Sequence, residues 1–165
     1  MSELDTIRDL FRHMEWADAT IWRAIPSETT DERLRTLLHH YHMTQRAFLS
    51  VWTNAAMDFA KLDAFPTNAA LAKWARDYHQ DVKPFVAAID DASLSKPVPL
   101  PWAERFAGRV PGVVTLCETL HQVAAHSTYH RGQANARLRE LGTKPPLVDY
   151  IAWIWYERPA AEWAL

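Results

Sequence analysis

Residues 111–142 read PGVVTLCETLHQVAAHSTYHRGQANARLRELG, and this stretch decides the fold. Pro111 suits the first turn of a helix, where a missing N–H costs nothing, and Gly142 suits its stop. Between them Val113, Leu116, Cys117, Leu120, Val123, Ala124, Leu138 and Leu141 recur with helical spacing. The predicted helix is about 30 residues and about 45 Å long. Within it His126 and His130 stand four apart, about 40° from each other around the axis, so both imidazoles can converge on one point. That point is a candidate metal site, and it needs a ligand from another helix.

Three further amphipathic segments precede this one. Ser2 with Asp5 resembles a helix start, followed by Leu4, Ile7, Leu10, Phe11, Met14, Ala17, Ile21 and Ile25 before Pro26. Thr29 with Glu32 offers a capping box for a second helix, striped by Leu34, Leu37, Leu38, Tyr41, Phe48, Trp52 and Ala55 and fading near Met57–Lys61. After Pro66, Thr67 or Asn68 can cap a third, with Leu71, Trp74, Tyr78, Val82, Phe85 and Ile89 on one side and Pro84 expected to bend or split it. Residues 91–110 show no helical period and carry three prolines, and long loops of this kind are often functional. Beyond Pro145-Pro146, Leu147–Tyr156 reads as a short terminal helix. Four long amphipathic helices without a convincing alternating strand predict a single all-α domain over residues 1–165, a four-helix bundle with a short C-terminal helix. The long third connection permits a crossover.

Composition excludes several functions. A formal charge of −2, with no run of Lys or Arg, gives no basic surface for nucleic acid. No apolar stretch approaches the ~20 residues of a membrane span. The single Cys117 excludes an intramolecular disulfide. The start, Met1-Ser2-Glu3-Leu4-Asp5, lacks the basic and apolar runs of a secretory signal, so a cytoplasmic protein is expected.

With eight His in the chain, one pair at spacing four is weak evidence alone, because a helical His is usually a surface or hydrogen-bonded core residue. The helical wheel adds to it. His126 and His130 lie about 90° from the apolar stripe, flanking the core. On the second helix the cluster His39-His40-Tyr41-His42 puts His40 about 120° to one side of the stripe, His42 about 80° to the other and His39 outermost. Geometry leaves His40 and His42 both open. Three imidazoles would leave a position for water or substrate, suiting zinc, nickel or another borderline divalent ion. A carboxylate-bridged di-iron site fails, since Glu118-Thr119-Leu120-His121 is the one Glu-x-x-His motif. His-Glu-x-x-His, phosphate loops and a Gly-x-Ser-x-Gly elbow are absent. Cys117 lies about 180° and His121 about 140° from His126, so neither shares its ion, and Cys117 is expected to pack in the core. His13 and His79 have no evident partner and are expected at the surface. Asp18 and Glu118 are candidate supports for the imidazoles.

The run His126-Ser127-Thr128-Tyr129-His130-Arg131-Gly132-Gln133, followed by Leu138-Arg139-Glu140-Leu141-Gly142, Pro145-Pro146 and Asp149, resembles the DinB/YfiT-like proteins, bacterial metal-binding four-helix bundles. Trp16-Ala17-Asp18 and Leu37-Leu38-His39-His40 are weaker matches. The resemblance implies a metal triad of His40, His126 and His130, with His42 the alternative third ligand and Gln45 where relatives often carry an acidic or polar residue. It implies an up-down-down-up bundle and a homodimer.

Its implied chemistry is metal activation of water or a low-molecular-weight thiol on a small-molecule substrate: S-transfer or isomerisation first, hydrolysis second. Arg131 is either a holder of a substrate anion near the ion or a surface ion-pair residue. Tyr129 is expected to pack, and the loop aromatics Trp102 and Phe106 to wall the cleft. The competing class is a non-enzymatic metal-binding or stress-response interaction module.

Overall fold

Caps set where each long helix begins. A computed structural model describes residues 2–57 and 59–163, so Met1, Ala164 and Leu165, the ends of the expected domain, and Asp58, inside the expected fade of the second helix, lie outside the described residues. The helices are α1 (Glu3–Ala24), α2 (Glu32–Thr53), α3 (Asn68–Ala88), α4 (Asp91–Leu94), α5 (Ala103–Ala107), α6 (Leu116–Glu140) and α7 (Tyr150–Trp155), with one 3₁₀ turn at Leu62–Ala64. Ser2 and Asp5 form the expected reciprocal box on α1. Thr67 caps α3, accepting from the Ala70 N–H at 3.1 Å. Such caps typically contribute about 1 kcal/mol each.

Two starts differ from expectation. Asp31, not Thr29, caps α2, accepting from the Leu34 N–H at 2.8 Å. The same carboxylate accepts from Arg137 of α6 at 2.6 and 3.0 Å, so a tertiary ion pair fixes the position. α6 begins at Leu116 with a Thr115/Glu118 capping box, not at Pro111. Backbone bonds of 2.8 Å from Val98 N–H to Val114 O and from Leu116 N–H to Lys96 O hold the chain extended up to the Thr115 cap, and Val113 is 83% exposed. Leu141 likewise falls just past the helix, as its C-cap, and Gly142 follows at φ 79°, where an L side chain would be strained.

Pro84 neither splits nor ends α3, which runs through it to Ala88. An interior proline costs about 3 kcal/mol of helix stability. Packing opposes that cost: Val82, Val86 and Ile89 are buried around it, and Phe85 stacks on Trp52 of α2 at 5.5 Å. The 91–110 connection, expected to lack helical order, contains α4 and α5. Its Trp102 meets Phe48 edge-on at 5.3 Å, covering one end of the core.

Each of α1 and α2 packs against both α3 and α6, an arrangement that fits a four-helix bundle. Among the described residues there is no strand, and no helix is long and apolar enough to cross a membrane. The core is layered. One apolar cluster gathers Leu4, Ile7, Phe11, Phe48, Val82 and Leu120, and another gathers Ile21, Trp22, Leu38, Leu71, Ala134 and Leu138. Between them in every long helix lies a buried polar residue: Asp18, His42 with Gln45, His79, and Ser127 with Arg131. This layer positions the candidate site, because Ser127 and Arg131 follow directly on His126 and His130.

Candidate metal centre

His126 and His130 leave α6 on its α2-facing side, where His40 of α2 meets them. Ring centroids stand 4.4 Å apart for His126/His130, 4.6 Å for His40/His130 and 5.4 Å for His40/His126. One potential ligand nitrogen from each lies within 4.8 Å of the other two. His40 is exposed and the other two half-buried, so the trio opens to solvent on one side.

The Nε2 atoms of His126 and His130 are 3.2 Å apart. Two Zn–N bonds of about 2.0–2.1 Å at a tetrahedral angle place their nitrogens about 3.3–3.4 Å apart, close to this spacing. Without an ion, one nitrogen must carry a proton between the two lone pairs. His130 Nδ1–H donates to Gln133 Oε1 at 2.7 Å, since a carbonyl oxygen only accepts, and this bond leaves the Nε2 lone pair of His130 directed at the cluster. His126 Nδ1 is buried with no hydrogen-bond partner in the protein. Burial, then the neighbouring His130 and His40, push the His126 pKa down to about 4. Burial and the flanking His130 lower that of His40 as well. Both are therefore neutral at pH 7, the form a metal requires. The donor set and the metal-like spacing of the two Nε2 atoms fit a divalent ion.

His42 points the other way. Fully buried, it accepts from Trp22 Nε1–H at 3.1 Å and donates from Nδ1 to Gln45 Oε1 at 2.8 Å, so both ring nitrogens are occupied. Gln45 in turn donates to Asp18 and Ser127, each at 3.0 Å. His79, expected at the surface, is 1% exposed and donates to Asp18 at 2.9 Å. His13, likewise expected outside, is buried beside Trp16, Tyr150 and Trp153 and donates to the Val148 carbonyl at 2.9 Å. Arg131 is not a surface residue: it is 2% exposed, pairs with Asp18 at 2.9 Å and donates to Thr128 Oγ1 at 2.8 Å. The anion it holds here is the protein's own. Burial alone would raise the Asp18 pKa; Arg131 and the His79 hydrogen bond outweigh it and hold the carboxyl well below the usual range.

The expected supports of the imidazoles are thus engaged elsewhere, Asp18 in this polar layer and Glu118 in the α6 cap. Gln133 takes the supporting position instead. Its signal lay in the chain: it stands three residues after His130, a helical neighbour. Cys117 is half-buried and packs, as expected, against the apolar cluster around Leu120, and His121 sits beside it at 3.5 Å. Tyr129, expected to pack, is 64% exposed, with its ring 5.0 Å from that of His130. Phe106 is 82% exposed, and Trp102 lies on the apolar cluster around Phe48.

A search of curated proteins finds no match to the chain. The three imidazoles and a family model matching residues 1–163, nearly the full length, point the same way, and the chain belongs to the DinB family.

Proposed function

We propose that His40, His126 and His130 hold one divalent ion, zinc or nickel, and that the protein is a metal-dependent enzyme acting on a small molecule. The convergence of three ligand nitrogens within 4.8 Å from two helices carries this reading. When bound, such an ion acts as a Lewis acid that lowers the pKa of water or a thiol at its open position. The chain's own residues prepare for it. Burial keeps His126 neutral, Gln133 fixes the His130 tautomer, and the exposed side of His40 leaves room for a substrate. Transfer or isomerisation involving a low-molecular-weight thiol is the leading reaction class, as the DinB/YfiT-like resemblance implies, and hydrolysis is second.

The cross-helix contacts support an up-down-down-up order. Glu3 meets Cys117 and Asp18 meets Arg131, so α1 and α6 run alike; Trp52 meets Thr119 and Asp31 meets Arg137, so α2 runs against α6; Lys83 meets Glu15 and Arg8 meets Ile89, so α3 runs against α1. Exposed Trp155, Tyr156 and Ile151 offer an apolar surface for the homodimer that the resemblance implies, and a cytoplasmic location belongs to the same proposal.

The test is metal analysis of protein purified without an affinity tag, followed by thiol consumption with model electrophiles. One ion per trio, lost in His126→Ala, and turnover that stops on chelation and returns with metal are expected. Binding unchanged by His126→Ala overturns the triad. Stoichiometric metal without turnover of thiols or hydrolysable substrates favours a non-enzymatic binding module.

A further inference from the structure

A second group of ligand-type side chains lies on another face of α6. Cys117 and His121 stand four apart, repeating the spacing of His126 and His130, and Glu3 reaches them from the first turn of α1. One ligand atom from each lies within 4.8 Å of the other two. Cys117 Sγ is 3.5 Å from His121 Nδ1 and 3.1 Å from Glu3 Oε1. A tetrahedral zinc with bonds of about 2.3 Å to sulfur and about 2.0–2.2 Å to nitrogen or oxygen sets those edges at about 3.5–3.6 Å. The sulfur–nitrogen edge already matches, and the exposed Glu3 side chain can supply the remaining shift of about half an ångström. Cys117 Sγ–H donates to Glu3 Oε1, so the thiol carries its proton in the ion-free chain.

We infer that Glu3, Cys117 and His121 form a second, independent metal site for a borderline-soft divalent cation such as zinc, cadmium or cobalt. The donor set, one thiolate, one imidazole and one carboxylate, selects such ions over magnesium or calcium. Binding forms metal–sulfur, metal–nitrogen and metal–oxygen bonds. It releases the Cys117 proton to solvent and moves the His121 proton from Nδ1, where it now meets the Cys117 carbonyl at 2.9 Å, to Nε2. Cys117 and His126 are nine residues apart along α6, about 13 Å, and about 180° apart around it, so the two sites bind separate ions. The inference does not rest on the three-His reading.

Cobalt(II) tests it, because a thiolate–cobalt charge-transfer band can come only from Cys117, the one cysteine in the chain. Metal-free, tag-free protein titrated with cobalt is expected to bind two ions and develop that band. His126→Ala should lose one ion and keep the band; Cys117→Ser should lose the other ion and the band together. His121→Ala should weaken the band-forming step at least tenfold. Absence of a thiolate band at saturating cobalt, or a band unaffected by His121→Ala, overturns the site. Should the variants fail to fold, zinc protection of the natural thiol decides: alkylation of Cys117 is expected to slow at least tenfold in zinc-loaded protein, and an unchanged rate overturns the proposal.

Discussion

Two polar groups sit side by side in this bundle, built from neighbouring residues, and they differ in one respect. In the inner layer, Asp18, His42, Gln45, His79, Ser127 and Arg131 bond to one another or to Trp22 and Thr128. In the outer trio, His40, His126 and His130 direct nitrogens at one another, and His126 Nδ1 has no partner in the protein. Histidine occurs in both. A buried polar group whose donors and acceptors are matched locks neighbouring helices together, whereas imidazole nitrogens that converge on one solvent-open point can be completed by a cation. Burial or residue type alone does not separate the two; the convergence of ligand nitrogens on one point open to solvent does.

The comparison breaks first at Asp18. Asp18→Ala leaves the Arg131 guanidinium, 2% exposed, without its counter-ion, and removing one member of a buried pair costs about 3–5 kcal/mol. Urea denaturation of the metal-free protein should show that loss. A change below about 1 kcal/mol would mean the inner layer is not held by its charges.

Acidification probes the same layer. The unfolded His42 imidazole takes up a proton near pH 6.5, whereas burial delays uptake in the folded chain to about pH 4. The unfolded state therefore binds more protons between these values. His42's contribution is fully present above pH 6.5 and is lost as pH falls towards 4, about 2 kcal/mol of it by pH 5. His13, lowered chiefly by burial, acts in the same direction. Asp18, held low, gives up its contribution only below the ordinary Asp range near 3.9, so the two acid losses separate. Denaturation curves at pH 7 and pH 5 on metal-free protein check this, and equal stabilities would remove His42 from the locked layer.

The number and faces of the long helices were legible because their apolar positions repeat at three and four. The inner layer was legible too, in a way that residue-by-residue weighing passed over. Leu120, Ala124, Ser127, Arg131, Ala134 and Leu138 follow one unbroken 4-3-4-3-4 spacing, and all six are buried. Phe11, Met14, Asp18 and Ile21 do the same on α1, as do Leu38, His42, Gln45 and Leu49 on α2, and Ala75, His79, Val82 and Val86 on α3. A polar residue in an apolar phase on each of four helices predicts a shared buried network, which assigns His42, His79 and Arg131 to the interior. The α6 start was not legible, because the backbone pairing of 96–98 with 114–116 depends on where a loop returns in space. Pro84 misled for a similar reason: local chemistry opposes the helix, and contacts with a distant Trp52 outweigh it.

On the outer side, His126→Ala removes one of three convergent nitrogens while leaving the inner layer's bonds in place. Zinc affinity should fall more than about 100-fold, beyond the 10–100-fold typical of residues that only support a ligand. Metal-free stability should change by less than about 1 kcal/mol, since the ring is half-buried and its Nδ1 has no partner to lose. A large loss of metal-free stability would place His126 with the locked residues.

The smallest effect, and the sharpest distinction, belongs to Gln133. It touches the trio only through its 2.7 Å bond from His130 Nδ1–H, and it cannot reach the ion's side of that ring. Gln133→Ala frees His130 to carry its proton on Nε2, the atom that converges on His126, so part of the population must change tautomer before binding. Zinc affinity should drop about 10–100-fold, with stoichiometry still one ion at the trio. Gln133→Glu supplies a stronger acceptor for the same proton and should restore affinity to at least the natural value. A merely structural role for Gln133 would lower stability in both variants and leave affinity alike in both. Opposite responses of affinity to Ala and Glu, with stability nearly constant, identify it as the residue that aims His130 at the cation.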